Sequence, residues 1–468
     1  MNKKQPAKII MLLTVGMLLA GLASACGSNN GNSESSSSGS GNSSPAAQES
    51  SSAPASSESA PANAEPVTLK FWTWNPSADA YKPVIEKFEA SHPGIKIDLT
   101  VMESKDFQTK MPLALTNGGE DLDVVGVQTG AMPSKIQGSL LPLDELLAEA
   151  QPDWQSVISA NSVEQIKSQA DGLKFLAMGS HGSMVMYYNK DILDELGFAA
   201  PKSYDELKAI TQAVREKKKD ILTVAVGGKD AWILDEVLLT ILGQQSDLYN
   251  QWRYNKGGKL DGPDYVKALE SFKKLFDDGI FSKEDVMDLD YTASRNIFTS
   301  GQAAFFIQGT WEANMLSEQY RKDNQVTIND VGMIAIPSID PSGKASIRSF
   351  IENGLAIPVS SKHPKEAMEW IKYLVFGEGN DMLSSQFNFT TNKIGFTPDA
   401  SLLTTPAAQD SFKLLVELVG NPTADRNNNS PFSDVVGAQL QKMILKNSVP
   451  ADIAKDIQKE YETGKYPN

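Results

Sequence analysis

The sequence predicts an α/β protein built from two lobes. Strand-like and helix-like segments alternate along the first half of the folded part, and this alternation predicts largely parallel sheets covered by helices. About 400 residues follow an N-terminal leader and tether, a length that suits two lobes better than one core. Ligands of such folds bind at the carboxyl ends of strands, so residues just after each strand are the first site candidates.

The first half of the folded part alternates strands and helices. Residues 95–102 alternate apolar and polar side chains with period two, as a strand does. Residues 78–91 place Val84, Ile85 and Phe88 on one helical face, and His92-Pro93-Gly94 ends that helix. In chain order we expect strand 67–74, helix 78–91, strand 95–102, helix 107–116, strand 123–127, helix 140–150, strands 173–178 and 183–189, and helix 191–198 with Gly197 as its stop.

The second half opens with a helix-capping pattern. Ser203-Tyr204-Asp205-Glu206 is a capping box that begins a charged helix ending near residue 219. The remaining expected elements are strand 222–228, two or three helices through residue 278, strands 303–308, 331–337 and 354–359, and final helices from His363-Pro364 onward.

The first 26 residues have the pattern of an export signal. Lysines precede an almost wholly apolar run that is short for a spanning helix, and small residues then lead to Cys26. The stretch Leu22-Ala23-Ser24-Ala25-Cys26 resembles a bacterial lipobox, although Ala23 stands where leucine is usual. This resemblance implies that Cys26 receives lipid and becomes the mature N-terminus. Because Cys26 is the only cysteine, we expect no intramolecular disulfide and no cysteine-based metal site.

Residues 27–66 have the composition of a disordered tether. Serine occupies 15 of these 40 positions, and no Leu, Ile, Val, Met or aromatic residue occurs. Such a segment cannot bury enough apolar surface to offset the entropy of ordering. Together with a lipid anchor, it predicts a protein held at the outer face of the cell membrane, as in Gram-positive bacteria.

The charge of the chain is strongly negative. The formal net charge is −15, and the leader carries three lysines and no acid, so the mature chain is near −18. A nucleic-acid-binding protein needs a basic patch, so this class of partner is disfavoured. The acidic balance also disfavours adhesion to anionic lipid and otherwise indicates a soluble fold.

No catalytic or metal-binding motif stands out. Phosphate-loop, zinc-protease and nucleophile-elbow motifs are absent, and His181 is the only histidine with a candidate role. It is either a loop residue that makes one hydrogen bond or a polar group lining a pocket. The Asp425-x-Asn427-x-Asn429 spacing starts like a calcium loop but lacks its glycine and final acid. We therefore predict no cofactor and no metal.

Six segments in order resemble one family. They are VTLKFWTW (67–74), the turn FE…HPGIKI (88–97), LDVV (122–125), YYNKDIL (187–193), PKSYDE (201–206), and FTSGQAA followed by GTW (298–311). Together they resemble the extracellular solute-binding proteins of ABC importers, in the carbohydrate class that includes the maltose-binding protein. The resemblance covers essentially all of residues 67–468.

The resemblance implies a two-lobed, periplasmic-binding-protein-like fold of type II, with a multi-strand hinge. The expected N-lobe is 67–176 plus about 346–392, and the expected C-lobe is 177–345 plus about 393–468. Crossings between the lobes are expected near 176–178, 337–345 and 391–396. Ligand binds between the lobes, which close by hinge bending.

Aromatic side chains at family positions imply a sugar-binding cleft. Trp72 and Trp74 share one face of a strand, with Trp74 at the cleft edge and Trp72 nearer the core. Trp232 and Trp311 resemble stacking positions, where a rigid indole face receives the apolar face of a sugar ring. For each tryptophan the alternative is an ordinary core residue.

Polar partners should be few and convergent. The candidates are Asn75, Asp123, Gln128, His181, Glu352 and Asn353. For Asp123, the capping of a turn is the alternative role.

These features predict a lipid-anchored, monomeric binding protein that captures a sugar or oligosaccharide and delivers it to ABC permease subunits. We expect no covalent change to the ligand, so the protein is not predicted to be an enzyme. Alternatives are a non-sugar ligand such as a polyamine, compatible solute or peptide, and a surface glycan-degrading enzyme. The enzyme would need two carboxylates about 5–10 Å apart across a cleft.

Overall fold

The computed structural model describes residues 66–117, 121–253, 258–425 and 430–466. Cys26, the leader, tether residues 27–65, and Asn427 and Asn429 of the calcium-like spacing lie outside the described residues. Within the described ranges, no helix has both the length and the apolar character needed to cross a membrane.

The strands form two sheets. In chain order they are β1 (Val67–Thr73), β2 (Ile95–Val101), β3 (Val124–Val127), β4 (Leu176–Ser183), β5 (Val185–Asn189), β6 (Leu222–Ala225), β7 (Ala303–Gln308), β8 (Val331–Ala335), β9 (Arg348–Ala356), β10 (Thr390–Thr391) and β11 (Ala424–Asp425). The first sheet has the order β10–β4–β9–β3–β1–β2, with β11 paired to β9, and the second has the order β6–β7–β5–β8.

Helices cover the sheets. In chain order they are α1 (Ala78–Ser91), α2 (Ser104–Thr116), α3 (Ala131–Ile136), α4 (Asp144–Ala150), α5 (Trp154–Val157), α6 (Ala160–Ser168), α7 (Lys190–Leu196), α8 (Tyr204–Lys217), α9 (Ala231–Gln245), α10 (Leu248–Arg253), α11 (Pro263–Asp277), α12 (Lys283–Asp288), α13 (Tyr291–Thr299), α14 (Glu318–Asp323), α15 (Pro364–Val375), α16 (Glu378–Ser384), α17 (Pro406–Gly420), α18 (Ser430–Lys446) and α19 (Pro450–Tyr461). Short 3₁₀ turns cover Gln137–Ser139, Thr310–Leu316 and Ala400–Leu402.

Local sequence signals explain several helix ends. The Ser203 hydroxyl accepts a hydrogen bond from the Glu206 backbone N–H at 3.3 Å and so caps α8, as the capping box predicts. Gly197 ends α7 with φ +79°, in the left-handed region that glycine adopts without strain. Pro364 and Pro406 stand at the starts of α15 and α17, where a missing N–H costs nothing.

Both sheets are mixed, so the prediction of largely parallel sheets is wrong. β1 pairs in parallel with β2 and β3, and β6 pairs in parallel with β7. The long strand β9 returns antiparallel to both β3 and β4, and β5 runs antiparallel to β7 and β8. The α/β class and the predicted two-lobed fold are confirmed.

The described part of the chain buries its apolar side chains in three cores. The first takes residues between 69 and 178 and between 351 and 389. The other two take residues between 184 and 347 and between 387 and 457. The lobe boundaries given above stay a prediction.

β4 and β9 connect these cores as a paired ribbon. They pair from Leu176 opposite Leu355 to Ser183 opposite Arg348. Ile347, just before β9, packs in the third core, whereas Ile351, within β9, packs in the first core. β9 begins six residues before the expected strand 354–359, and the crossing expected near 337–345 stays a prediction.

Candidate functional site

The carboxyl ends of β1 and β3 place several candidate residues at one edge of the first sheet. These strands are parallel neighbours, with Phe71 opposite Val124, so the residues that follow them emerge side by side. Trp74 and Asn75 follow β1, and Gln128 follows β3. All three side chains are partly exposed.

Trp74 is half-buried, and its ring packs against Phe107 and Gly126. Its ring lies 5.0 Å from the ring of Phe107, centroid to centroid, at an interplanar angle of 32°. It also covers Gly126 of β3, where an added Cβ would come within 2.8 Å of the indole. Trp72, two residues earlier, lies within the sheet, and both tryptophans pack against the first core.

Asn75, Glu352 and Asn353 lie close to this edge. The Asn75 side-chain amide donates to Asn353 Oδ1 at 2.9 Å. Asn353 is buried with φ +54°, and its Nδ2 has no hydrogen-bond partner in the described part of the chain. The buried Glu352 accepts from the Thr129 hydroxyl at 2.6 Å and from its backbone N–H at 3.3 Å.

The structure places Asp123 away from these residues, and its role as a cleft residue stays a prediction. It precedes β3 and thus lies at the opposite end of that strand from Gln128. Its two oxygens accept from the Lys70 backbone N–H at 3.1 Å and from the Ser361 hydroxyl at 2.7 Å. Asp123 ties the entry of β3 to neighbouring segments, which matches the alternative structural role.

His181 lies inside β4 and not in a loop. It pairs with Phe350 of β9 and is 1% exposed. Its ring centroid is 6.0 Å from that of Phe350 and 6.1 Å from that of Trp311, with an edge-on geometry to the indole. His181 therefore contacts the rings of Phe350 and Trp311 from within the paired strands β4 and β9.

Trp232 and Trp311 meet on the other side of the site. Trp232 lies in the first turn of α9, and Trp311 follows β7 in the 3₁₀ turn. Their ring centroids are 6.2 Å apart at 46°, and both side chains are half-buried. We call His181, Trp232, Trp311 and Phe350 the aromatic cluster. Phe350, whose ring lies 6.3 Å from Trp311, was missed because the predicted strand began too late.

One face of β9 joins the two groups of residues. Side chains alternate along a strand, so Arg348, Phe350 and Glu352 point to the same face about 7 Å apart. Arg348 forms an ion pair with the buried Glu236, Phe350 belongs to the aromatic cluster, and Glu352 accepts a hydrogen bond from Thr129. The cluster and the polar residues at the edge of the first sheet are thus neighbours along one strand.

The carboxylate next to Trp311 in the chain is compensated. Glu312, next to Trp311 in the chain, accepts from Arg295 Nε at 3.0 and 3.2 Å and from the Tyr291 hydroxyl. Burial, and then the Glu312 charge, raise the pKa of Tyr291 well above its ordinary value, so the hydroxyl remains a donor. The Glu312 charge raises the pKa of Arg295 further above its ordinary value, against the effect of burial.

The arrangement offers binding contacts more readily than catalytic ones. Within the described ranges, no group of three His, Cys, Asp or Glu side chains is placed to hold a metal ion. The site instead combines partly exposed indole faces with amide and carboxylate groups, which is the composition of a small-molecule pocket.

The sequence matches the family described as bacterial extracellular solute-binding protein over residues 74–380. It is 26% identical over 321 residues to an ABC transporter extracellular-binding protein of Pyrococcus horikoshii, covering 66% of this chain and 69% of that one. A structure from work on xylan utilisation by Caldanaerobius polysaccharolyticus superimposes with TM-score 0.68 at 18% identity, covering 84% of this chain and 100% of that one. The structure of maltose-bound MalE3 of T. maritima superimposes with TM-score 0.64 at 18% identity, covering 85% of this chain and 99% of that one.

Proposed function

The chain belongs to the family of bacterial extracellular solute-binding proteins, and from this premise we propose that it captures a neutral sugar or oligosaccharide and delivers it to the permease of an ABC importer. The proposed contacts are Trp74, Trp232 and Trp311 as stacking faces, with Asn75, Gln128, His181, Glu352 and Asn353 as polar partners.

The observation that carries the sugar proposal is the pair of indoles in the aromatic cluster. Trp232 and Trp311 are half-buried, with ring centroids 6.2 Å apart. An indole presents a large rigid face that loses little entropy on binding, and sugar rings carry apolar C–H faces of similar size. The structure reported as maltose-bound and the one from a study of xylan utilisation have the same fold, which supports the same ligand class.

The pairing of Glu312 with Arg295 favours a neutral ligand over a polyamine or another cation. A cation held by aromatic faces gains most where nearby acids are uncompensated. Here Glu312 is paired with Arg295, and Glu352 accepts two hydrogen bonds from Thr129. A neutral, hydroxyl-rich ligand fits this balance better.

The test is a thermal-shift panel on the soluble fragment from Gly27 onward, with mono- and oligosaccharides, polyamines, betaines and peptides. A ligand at 100 times its Kd stabilises the fold by about 2.7 kcal/mol, which a melting curve resolves. We expect a shift with a glycan that is recovered unchanged. A shift with cations alone would contradict the sugar proposal, and recovery of a cleaved glycan would establish an enzyme.

Matched tryptophan variants locate the site. Trp311→Ala and Trp74→Ala should each weaken glycan binding by about 10-fold or more, because aromatic contacts dominate such sites. Trp72→Ala is the control, since Trp72 is also half-buried on β1 but lies within the sheet. Equal losses in Trp72→Ala and Trp74→Ala would mean that general destabilisation explains both.

We further propose that Cys26 carries a lipid that holds a monomeric protein at the outer face of the cell membrane. This proposal rests on the lipobox-like stretch and the serine-rich segment that follows it. The Cys26→Ser variant should leave the membrane fraction, and mass spectrometry of the wild-type N-terminal peptide should find an acylated cysteine. Recovery of the variant in the membrane fraction would contradict the anchor.

A further inference from the structure

The segment that carries Trp232 is docked on the start of α13. Gly227 packs so closely on Asp290 that an added Cβ would lie 2.7 Å from its carbonyl carbon. The Lys229 backbone N–H donates to the Leu289 carbonyl at 3.0 Å. Asp230, two residues before Trp232, accepts from the Tyr291 backbone N–H at 2.8 Å. The position of Trp232 therefore depends on where α13 begins.

The turn that carries Trp311 is tied to the same point. The Tyr291 hydroxyl donates to Glu312, the residue after Trp311. Glu312 is 4% exposed and is held from its other side by Arg295. Hydrogen bonds to a buried charged group are the stronger kind, so this contact is well placed to orient the turn.

Tyr291 is thus bonded to both tryptophan-bearing segments, which lie 79 residues apart in the chain. Its backbone N–H donates to Asp230, two residues before Trp232, and its hydroxyl donates to Glu312, the residue after Trp311. We propose that Tyr291 is a positioning residue that sets the spacing and angle of Trp232 and Trp311, and through them the affinity for a flat ligand face. The affinity part rests on the proposed function, whereas the geometric part does not.

The decisive variant is Tyr291→Phe, which keeps the ring and the backbone N–H and removes only the hydroxyl. Tyr320→Phe is the matched control, because the Tyr320 hydroxyl accepts from Arg295 Nη2 at 2.9 Å in the same network. The first readout is the circular-dichroism exciton couplet of the indole pair without ligand, assigned by its loss in Trp232→Ala and Trp311→Ala. We expect Tyr291→Phe to weaken this couplet and Tyr320→Phe to leave it unchanged.

The second readout is affinity for a mixture of xylo- and malto-oligosaccharides. We expect Tyr291→Phe to weaken binding about 3- to 10-fold, the usual effect of one buried hydrogen bond. In a Trp311→Ala background the same substitution should add no further loss, since its effect passes through that indole. An additive loss, equal effects of Tyr291→Phe and Tyr320→Phe, or an unchanged couplet in Tyr291→Phe would each overturn the inference.

A second variant covers the case in which Tyr291→Phe does not fold. Asp230→Ala removes the acceptor for the Tyr291 N–H, and it spares the helix because the Asp230 side chain does not cap α9. It should also weaken the couplet, and an unchanged couplet would count against the inference. If the wild-type protein binds none of the oligosaccharides, the proposed function fails for these ligands while the couplet still decides the geometric claim.

Discussion

The two sides of the candidate site are held by different parts of the protein. Trp74 is placed by the backbone, because it follows β1 directly and its ring rests on Gly126 of the neighbouring strand. Trp232 and Trp311 are placed by side chains, through hydrogen bonds that converge on Tyr291. A strand end fixed by sheet register changes little when one side chain is lost. A turn fixed by a charged network depends on the hydrogen bonds that reach it directly.

The largest expected loss of stability comes from removing one partner of the buried ion pair between Arg348 and Glu236. Arg348 and Glu236 form an ion pair in which both side chains are almost fully buried, and the Ser183 hydroxyl also donates to Glu236 at 2.7 Å. Glu236→Ala leaves a buried cation without its partner and should cost about 3–5 kcal/mol in the free energy of unfolding. Urea denaturation measures this loss.

Two controls sharpen that prediction. The double variant Glu236→Leu with Arg348→Met removes both charges and should recover most of the lost stability, because apolar replacement of a buried pair is often neutral. Lys413→Ala breaks an exposed ion pair with Asp410 and should change little. A double variant as unstable as Glu236→Ala would mean that packing, and not the unpaired charge, dominates.

Equivalent glycine substitutions compare the two tryptophan sites directly. A Cβ added at Gly309 would lie 2.1 Å from the ring of Trp311, and one at Gly126 would lie 2.8 Å from the ring of Trp74. Each methyl group must displace its indole, and the closer contact requires the larger shift. We expect Gly309→Ala to weaken glycan binding about tenfold, or about 1.4 kcal/mol, and Gly126→Ala about threefold. Isothermal titration measures both, and a larger loss in Gly126→Ala would contradict the comparison.

Sequence patterns predict the position of Trp74 and Asn75 in the fold. A strand followed at once by these two residues places them at its carboxyl end, where the structure also has them, and ligand binding at this edge stays a prediction. The same patterns do not show which end of a short strand a polar residue occupies in the sheet. Asp123 is predicted as a cleft residue, and the structure has it at the entry of β3.

The glycines beside His181 lie in a strand and not in the loop that their sequence pattern indicates. Gly179 and Gly182 flank His181 and indicate a loop, yet both lie in β4. A Cβ at Gly179 would come within 2.2 Å of the Phe389 ring, and one at Gly182 within 2.3 Å of Ile347. These glycines permit close packing across the paired strands and form no turn. Such a requirement depends on residues far away in the chain, so a local pattern cannot reveal it.

The network on the cluster side has no sequence signature. Tyr291, Arg295 and Glu312 are ordinary residues in a helix and a turn, and only the tertiary structure brings them together. The aspartate just before α13, Asp290, caps that helix, because its Oδ1 accepts from the Ala293 N–H at 2.8 Å. The cap fixes where α13 begins and hence where Tyr291 lies.

The pH dependence of the unfolding free energy at alkaline pH should report on the Tyr291 hydroxyl. Burial and the Glu312 charge raise the pKa of Tyr291 well above its ordinary value of 10.0. Above about pH 10 the unfolded chain releases this proton while the folded protein retains it, so Tyr291 makes stability fall as pH rises. Tyr291→Phe should therefore show a shallower loss of unfolding free energy between about pH 9 and about pH 11 than the wild type. Equal slopes would mean that the hydroxyl is not held in the folded state.

The smallest expected effect on stability and affinity is that of a substitution at Asn75, next to Trp74 on the side of the site that the backbone holds. Asn75→Ala removes the hydrogen bond to Asn353 Oδ1, a partly buried contact worth about 1 kcal/mol of stability. Trp74 should keep its place, because the end of β1 and the surface of Gly126 hold it without Asn75. Tryptophan emission without ligand should therefore match that of the wild type, and the loss of glycan affinity should stay below that of Tyr291→Phe. If Asn75→Ala disturbs Trp74 as strongly as Tyr291→Phe disturbs Trp311, side chains hold both sides of the site and the contrast between them fails.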